Sequence, residues 1–168
     1  MDHTYAISHG RIRLGPLLQE EIEDARMLRN ENRTGFMDNR MITPEAQKTW
    51  FSRYLEHPSE IMFSVYRADS GRWIGTAALF SIDREHASAE CGRFMIDKVR
   101  AQEKGMGREA VEAVCRIGFE TMKLERVYLS VYEDNIPAVK TYQRAGFREY
   151  GVSWDPVGRK LLLMERRD

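Results

Sequence analysis

A Gly-x-Gly turn that opens a strongly amphipathic helix constrains the fold of this chain more than any other feature. The segment is Gln102-Glu103-Lys104-Gly105-Met106-Gly107-Arg108. Before it, residues 89–96 read as a strand. After it, residues 106–122 place Ala110, Val111, Val114, Cys115, Gly118, Phe119 and Met122 on one stripe of a helix. Strand, tight turn and amphipathic helix in that order require a helix laid on a sheet. Two glycines one residue apart let the backbone turn sharply and keep side chains out of the approach. The first N–H groups of the helix lack intrahelical partners, and the helix dipole adds positive character. Such an end suits a phosphate or pyrophosphate, and Lys104 and Arg108 add formal charge. The segment is neither a P-loop, which ends in Gly-Lys-Ser/Thr, nor the GxGxxG dinucleotide fingerprint. An ordinary helix start with packing glycines has the same sequence, so the turn alone leaves both readings open.

Turn signals recur at short intervals along the rest of the chain, as in an alternating α and β domain. The patterning predicts strands over residues 11–14, 61–67, 73–82, 89–96, 126–132, 147–151 and 160–166. It predicts helices over residues 17–28, from Thr43-Pro44-Glu45 to His57-Pro58, over 106–122 and over 135–145. No linker, repeat or low-complexity tract interrupts residues 1–168, which are expected to form a single domain.

Within residues 89–96 the apolar phase changes. Ala89 and Cys91 share odd positions, Phe94 and Ile96 take even ones, and Gly92 lies between them. One inserted residue flips the phase in this way, which predicts a β-bulge and a strand bent away from residues 126–132. A central strand buried on both faces is the other reading.

Composition removes several classes of function. The 26 Lys and Arg residues balance 26 Asp and Glu residues, so neither a nucleic-acid coat nor an anionic-membrane binder is expected. The hydrophobic share of 42% speaks against disorder. Apolar runs are too short to span a membrane. Residues 1–13 show no signal-peptide core, and Cys91 and Cys115 sit in apolar patterns as reduced core residues. A cytoplasmic protein is expected. The four histidines, His3, His9, His57 and His86, have no metal-ligand spacing, so no metal is expected. No Ser or Cys stands in a nucleophile-elbow motif.

The Gln-x-x-Gly-x-Gly segment resembles the acetyl-CoA pyrophosphate loop of the GNAT acyltransferases. A second segment agrees: Asn135-Ile136-Pro137-Ala138, then Tyr142, then Gly146-Phe147, is similar to that family's Asn-x-x-Ala-x-x-x-Tyr-x-x-x-Gly-Phe signature. The order and spacing of the two motifs are specific together, and the close match covers residues 89–150. One departure is Ala101, where the family often has Arg; Arg100 stands one position earlier. The resemblance implies a mixed, mostly antiparallel sheet of six to seven strands with splayed central strands and about four helices. It implies acetyl-CoA as cofactor, bound by Gln102, Glu103, Lys104, Gly105, Met106, Gly107 and Arg108 and by the backbone of Phe94, Met95 and Ile96. It also implies contacts from Asn135 and Tyr142, and family habit implies a homodimer.

Acyl transfer from a thioester to an amine requires removal of a proton from the amine and favours a proton for the departing thiolate. Tyr142 is the candidate acid; as an amphipathic core tyrosine it also needs no function. Asn135 lies at an N-cap, and capping suffices to explain it. Glu90, in opposite phase to Ala89 and Cys91, is the candidate base, with Asp83 and His86 as alternatives and a surface carboxylate as the plain reading. Direct transfer within a ternary complex is expected. In the family the first helices and the next loop shape the acceptor pocket, which here points to Arg29, Asn30, Arg33, Phe36-Met37, Arg40, Trp50 and Tyr54. That region is similar to the branch of ribosomal-protein, polyamine and amino-sugar acetyltransferases. Arg26, Arg29, Arg33 and Arg40 outnumber Glu31 and Asp38 by four to two. This favours a small-molecule amine that carries phosphate, such as a nucleotide-linked amino sugar; a solvated helix face balanced by Glu20, Glu21, Glu23 and Asp24 just upstream is the plain reading. A protein N-terminus is the runner-up, a polyamine site would need more carboxylates, and a non-catalytic acyl-CoA sensor is the alternative of a different class.

Overall fold

The computed structural model describes residues 3–36 and 38–168, so Met37 lies outside the described residues. Among the described residues, eight strands form one open sheet in the order β1-β2-β3-β4-β5-β6-β8-β7. They are β1 (Ile7–His9), β2 (Ile12–Pro16), β3 (Ile61–Arg67), β4 (Trp73–Asp83), β5 (Ser88–Ile96), β6 (Arg126–Tyr132), β7 (Arg148–Trp154) and β8 (Lys160–Arg167). Every pairing is antiparallel except β5 with β6. That parallel pair needs a crossover, supplied by α3 (Lys98–Ala101) and α4 (Met106–Arg116), which runs on through a π-helical turn at Ile117–Thr121.

Helices cover both faces, which is why β3 and β4 are apolar on both sides. On one face, α4 buries Ala110, Val111, Val114 and Cys115 against Leu79, Ala89, Cys91 and Val127. The helix α5 (Ile136–Arg144) packs on this first core through Ala138, Val139 and Tyr142. On the other face, α1 (Ile22–Glu31) and α2 (Pro44–Glu56) form a second core. There Leu28, Phe51 and Tyr54 meet Met62, Tyr66, Trp73 and Met95.

The sheet holds one strand more, and the helices one member more, than the patterning predicts. The strand β1 is three residues long, too short to show alternation. The helix α3 is a single turn started by the Asp97 carboxylate, which accepts from Val99 N and Arg100 N at 2.9 and 3.0 Å. The strand β2 passes through Gly15 to Pro16, which pairs with Phe63 at the strand end where proline is tolerated. The predicted helix over 17–28 therefore begins late, as a 3₁₀ turn at Gln19–Glu21 followed by α1.

The bulge in β5 is present. Thr76 pairs with Met95 and Ala78 with Gly92, so Arg93 and Phe94 together oppose Ala77. Arg93 takes the left-handed conformation, with φ +52°. The phase flips as the sequence predicts: Ala89 and Cys91, then Phe94 and Ile96, reach the first core, while Met95 reaches the second. Gly75 lets β4 approach the bent strand, because a Cβ there would lie 1.9 Å from the Met95 carbonyl oxygen. The β5–β6 ladder holds only Ser88↔Arg126, Ala89↔Val127 and Glu90↔Tyr128. Beyond Glu90 the two strands part, and Ser130, mid-way along an interior strand, is exposed.

Candidate active site

Three helix starts show how the site is set. Thr43 Oγ1 accepts from Ala46 N at 3.2 Å and caps α2. Asn135 Oδ1 accepts from Ala138 N at 3.4 Å and caps α5. The helix α4 starts at Gly105, with φ +95° and no side-chain cap, so its first amide hydrogens remain available. They open on a cavity of about 390 Å³ lined by Arg11, Lys104, Gly105, Gly107, Arg108, Thr141 and Arg144. A Cβ on Gly107 would meet only Ile96 Cγ1, at 3.8 Å. The packing of the protein therefore does not demand glycine at 107; the approach to the amides does. Lys104 and Arg144 have no acidic partner among the described residues. Arg108 leans on Glu112 at 3.3 Å. A diphosphate matches this combination of open amides and cations.

The turn before α4 is clamped from beneath by two arginines that the motif does not contain. Arg11 donates to Glu103 Oε2 at 2.7 Å, to the Lys104 carbonyl at 3.1 Å and to Glu109 Oε1 at 2.5 and 2.9 Å. Arg67 donates to the Ala101 carbonyl at 2.5 Å and to Glu103 Oε1 at 3.1 Å. Both arginines hold the Glu103 carboxyl below its ordinary range. Burial pushes Glu109 up, yet the bonds from the Arg11 side chain and backbone outweigh it and keep Glu109 ionised. The Glu103 side chain is thus a buttress of the turn, which leaves its backbone for the expected cofactor contact. Met106 is 1% exposed and packs into the first core, so only its backbone faces the cavity. The Met95 side chain is buried in the second core in the same way.

Tyr142 and Glu90 lie on opposite faces of the opened strand pair. Tyr142 stands on α5 between Phe94 and Phe147, with ring centroids 6.1 and 6.0 Å away. Its hydroxyl has no hydrogen-bond partner among the described residues. Burial and then the nearby Cys91 thiol push its pKa up, so at neutral pH the phenol keeps its proton. Glu90 alternates with Ala89 and Cys91 and so faces the α1–α2 side, next to Tyr128 and across from Phe80. Burial raises its pKa, with Arg93 opposing. A carboxyl raised in this way is a stronger proton acceptor than an ordinary glutamate. The expected alternatives are placed differently. Asp83 accepts from the backbone and ring of His86 at 2.9 and 2.7 Å, and His86 is exposed.

Residues 11–148 match the acetyltransferase (GNAT) domain family. The chain belongs to that family. It is an N-acetyltransferase whose acyl donor is acetyl-CoA. A Bacillus subtilis protein named "Probable N-acetyltransferase YjcK" is 31% identical over 147 residues, covering 82% of this chain and 81% of its own length. The spermine/spermidine N(1)-acetyltransferase of Bacillus subtilis is 37% identical over 83 residues, covering 49% of this chain and 53% of its own. The spermidine N-acetyltransferase of Vibrio cholerae, solved with CoA and spermine, shares the fold with a TM-score of 0.81. It is 23% identical over 94% of this chain and 95% of its own.

The residues of this GNAT chain expected at the acceptor pocket differ in what already holds them. Asn30 is buried, donates to the Ile42 carbonyl and accepts from Ile42 N, both at 2.9 Å. Its amide ties down the loop after α1 and is not offered to a ligand. Arg33 is exposed and donates to the Asn30 carbonyl at 3.3 Å. Trp50 stacks on Tyr54 with centroids 5.6 Å apart, on the edge of the second core. Arg29 lies over the Phe36 ring at 3.9 Å. Arg11, Arg67, Arg93, Thr141 and Arg144 were not singled out by the motifs. Thr141 and Arg144 flank Tyr142 on α5, which was a usable signal. The bonds from Arg11 and Arg67 to the turn span more than thirty positions in sequence, so no local pattern carries them.

Among the described residues, no group of three or more His, Cys, Asp and Glu residues is placed to hold a metal ion. No helix of the described residues is long and apolar enough to cross a membrane.

Proposed function

We propose that this chain transfers the acetyl group of acetyl-CoA directly to the primary amine of a small molecule, with Glu90 as base and Tyr142 as acid. The observation that carries the reading is the uncapped start of α4, opening on a cationic cavity beside strands that part at Glu90. Acetyl-CoA, when bound, supplies an acetyl thioester open to attack by an amine. The amides of residues 106–108, with Lys104, Arg108 and Arg144, hold its diphosphate. The unpaired edge of β5 at Phe94, Met95 and Ile96 bonds its extended arm, with Asn135 beside it.

An alkylammonium must lose its proton before it can attack. Glu90 takes that proton at its carboxylate, directly or through a water. Tyr142 gives its hydroxyl proton to the departing sulfur and is recharged from solvent. The two groups approach the opened strand pair from opposite faces, so proton removal and proton return do not compete for one site.

The acceptor we favour is a nucleotide-linked amino sugar, supported by the four arginines against two acids over residues 26–40. A polyamine is the second reading, favoured by the 37% identity to the Bacillus subtilis spermine/spermidine enzyme. Two free, buried thiols support a reducing, cytoplasmic setting. Exposed Tyr150, Val152 and Trp154 on the edge strand β7 support a homodimer. The test is thiol release from acetyl-CoA with a panel of UDP-linked amino sugar, spermidine and peptide N-termini. Release with a small amine is expected. Binding of CoA without release for any amine makes the chain an acyl-CoA sensor.

A further inference from the structure

Arg29 Nη1 is buried and has no hydrogen-bond partner, alone in this among buried side-chain nitrogens and oxygens of the described residues. The rest of that guanidinium is fixed. It lies flat enough on Phe36 to bring its carbon 3.9 Å from the ring centroid, and its Nη2 donates to the Asp38 carbonyl. A planar fork held on a ring and a carbonyl has little freedom left, so its unused edge has a set direction. A charged donor left unpaired in a protein interior is costly and marks a place that a ligand completes.

Arg93 strengthens this reading. It stands in the β5 bulge with φ +52°, its guanidinium 5.2 Å from the Phe80 centroid and paired with Glu60. Arg29 and Arg93 lie within electrostatic reach of each other. Burial first, and Arg93 as well, draw the Arg29 pKa down, against Asp38. Glu60 balances Arg93, and nothing among the described residues bonds the free edge of Arg29. Arg93 also acts on the Glu90 carboxyl. A cationic edge without a partner and the candidate base for the amine thus share one neighbour at the bulge. The two guanidiniums stack on Phe36 and Phe80, rings that border the same core, and an oxyanion is the group that the unpartnered edge of Arg29 accepts. A linear polyamine presents only cations, which both arginines repel.

We propose that Arg29, backed by Arg93, binds an oxyanion carried by the acceptor, so that the substrate is an amine bearing its own phosphate or carboxylate. The proposal rests on the amine-acetylation reading above and narrows its substrate class. Arg29 is the specificity residue.

The test compares amines in matched pairs: glucosamine 6-phosphate against glucosamine, and serine against ethanolamine, with UDP-linked glucosamine and spermidine alongside. At least one anionic member is expected to exceed its neutral twin tenfold or more in kcat/KM, and the pair that does so tells phosphate from carboxylate. In R29Q that ratio should fall at least tenfold, through KM of the anionic amine, while the KM for acetyl-CoA holds. R29K, which keeps the charge but loses the fork, should fall between. A merely structural role for Arg29 would depress both members of a pair together and leave the ratio unmoved. Spermidine or a neutral twin as the better substrate, or an unmoved ratio in both variants, overturns the inference and leaves amine acetylation standing. Bound acetyl-CoA with no turnover of any amine overturns both.

Discussion

On one face of β5 the proposed donor site is mostly backbone: amides at an uncapped helix start, a left-handed glycine, and a strand edge that loses its partner. On the other face the proposed acceptor side is made of side chains: Glu90, Arg93, Arg29 and the aromatic rings of Phe36, Phe80 and Trp50. The first kind of site depends on dihedral angles that only certain residues adopt, and those residues recur at fixed spacing. The second depends on which long side chains three separate elements bring together, and many sequences meet that need. The difference predicts that donor-side substitutions act through the cofactor, whereas acceptor-side substitutions act through the amine and the proton.

The largest effect should come from breaking the donor side alone. G107D places bulk and negative charge where the helix start faces the cavity. CoA affinity should fall by roughly a hundredfold or more, equivalent to about 3 kcal/mol. Isothermal titration checks it, and normal affinity would remove the cradle.

Y142F comes next and tests the point where the two faces meet. The kcat should fall by about 10²–10⁴, the usual span for a lost acid or base, with the KM for acetyl-CoA little changed. Unchanged turnover would return Tyr142 to a packing role.

E90Q sharpens the comparison from the acceptor face. The kcat should drop by roughly 10²-fold, and the acidic limb of the kcat/KM profile, set above the ordinary glutamate range by burial, should disappear. The stability sign follows from the same shift. A raised folded pKa means that the folded chain holds the Glu90 proton more tightly than the unfolded chain. This contribution is present below the unfolded pKa and is lost as pH rises through the folded one. Melting temperatures across that window should be flatter for E90Q than for the parent, and an identical pH–rate profile would assign the base to another group.

R11Q releases the clamp beneath the donor turn. The KM for acetyl-CoA should rise about fivefold, or about 1 kcal/mol, with kcat nearly kept; steady-state kinetics decide it. The smallest effect belongs to T43A, which removes the cap of α2 and should cost about 1 kcal/mol of stability without changing CoA affinity. A loss of CoA affinity there would blur the division between the faces.

The glycine turn that opens α4, the caps at Thr43 and Asn135, and the bulge after Gly92 were all legible, because each is a local conformation with a local residue requirement. The phase change between Cys91 and Phe94 is the clearest case: a period of two residues leaves no other way to keep four apolar side chains on one core. The three-residue β1 and single-turn α3 escaped because neither is long enough to show a period. The pairing of the Asn30 amide with Ile42 across the loop is one that sequence spacing does not reveal. Nor does it reveal the hold on the Glu103 side chain by Arg11, from the turn before β2, and Arg67, from β3.

The sequence by itself determined the α/β layering, the family and the uncapped, glycine-flanked start of α4, since glycines, caps and periodicity act on the backbone within a few residues. The tertiary structure alone decided which charges meet: that Arg11 and Arg67 brace the turn, that Glu90 and Tyr142 lie on opposite faces of the parted strands, and that one edge of Arg29 is left unpaired among the described residues. Coulomb and hydrogen-bond energies depend on separation in space, and only the folded chain sets that separation.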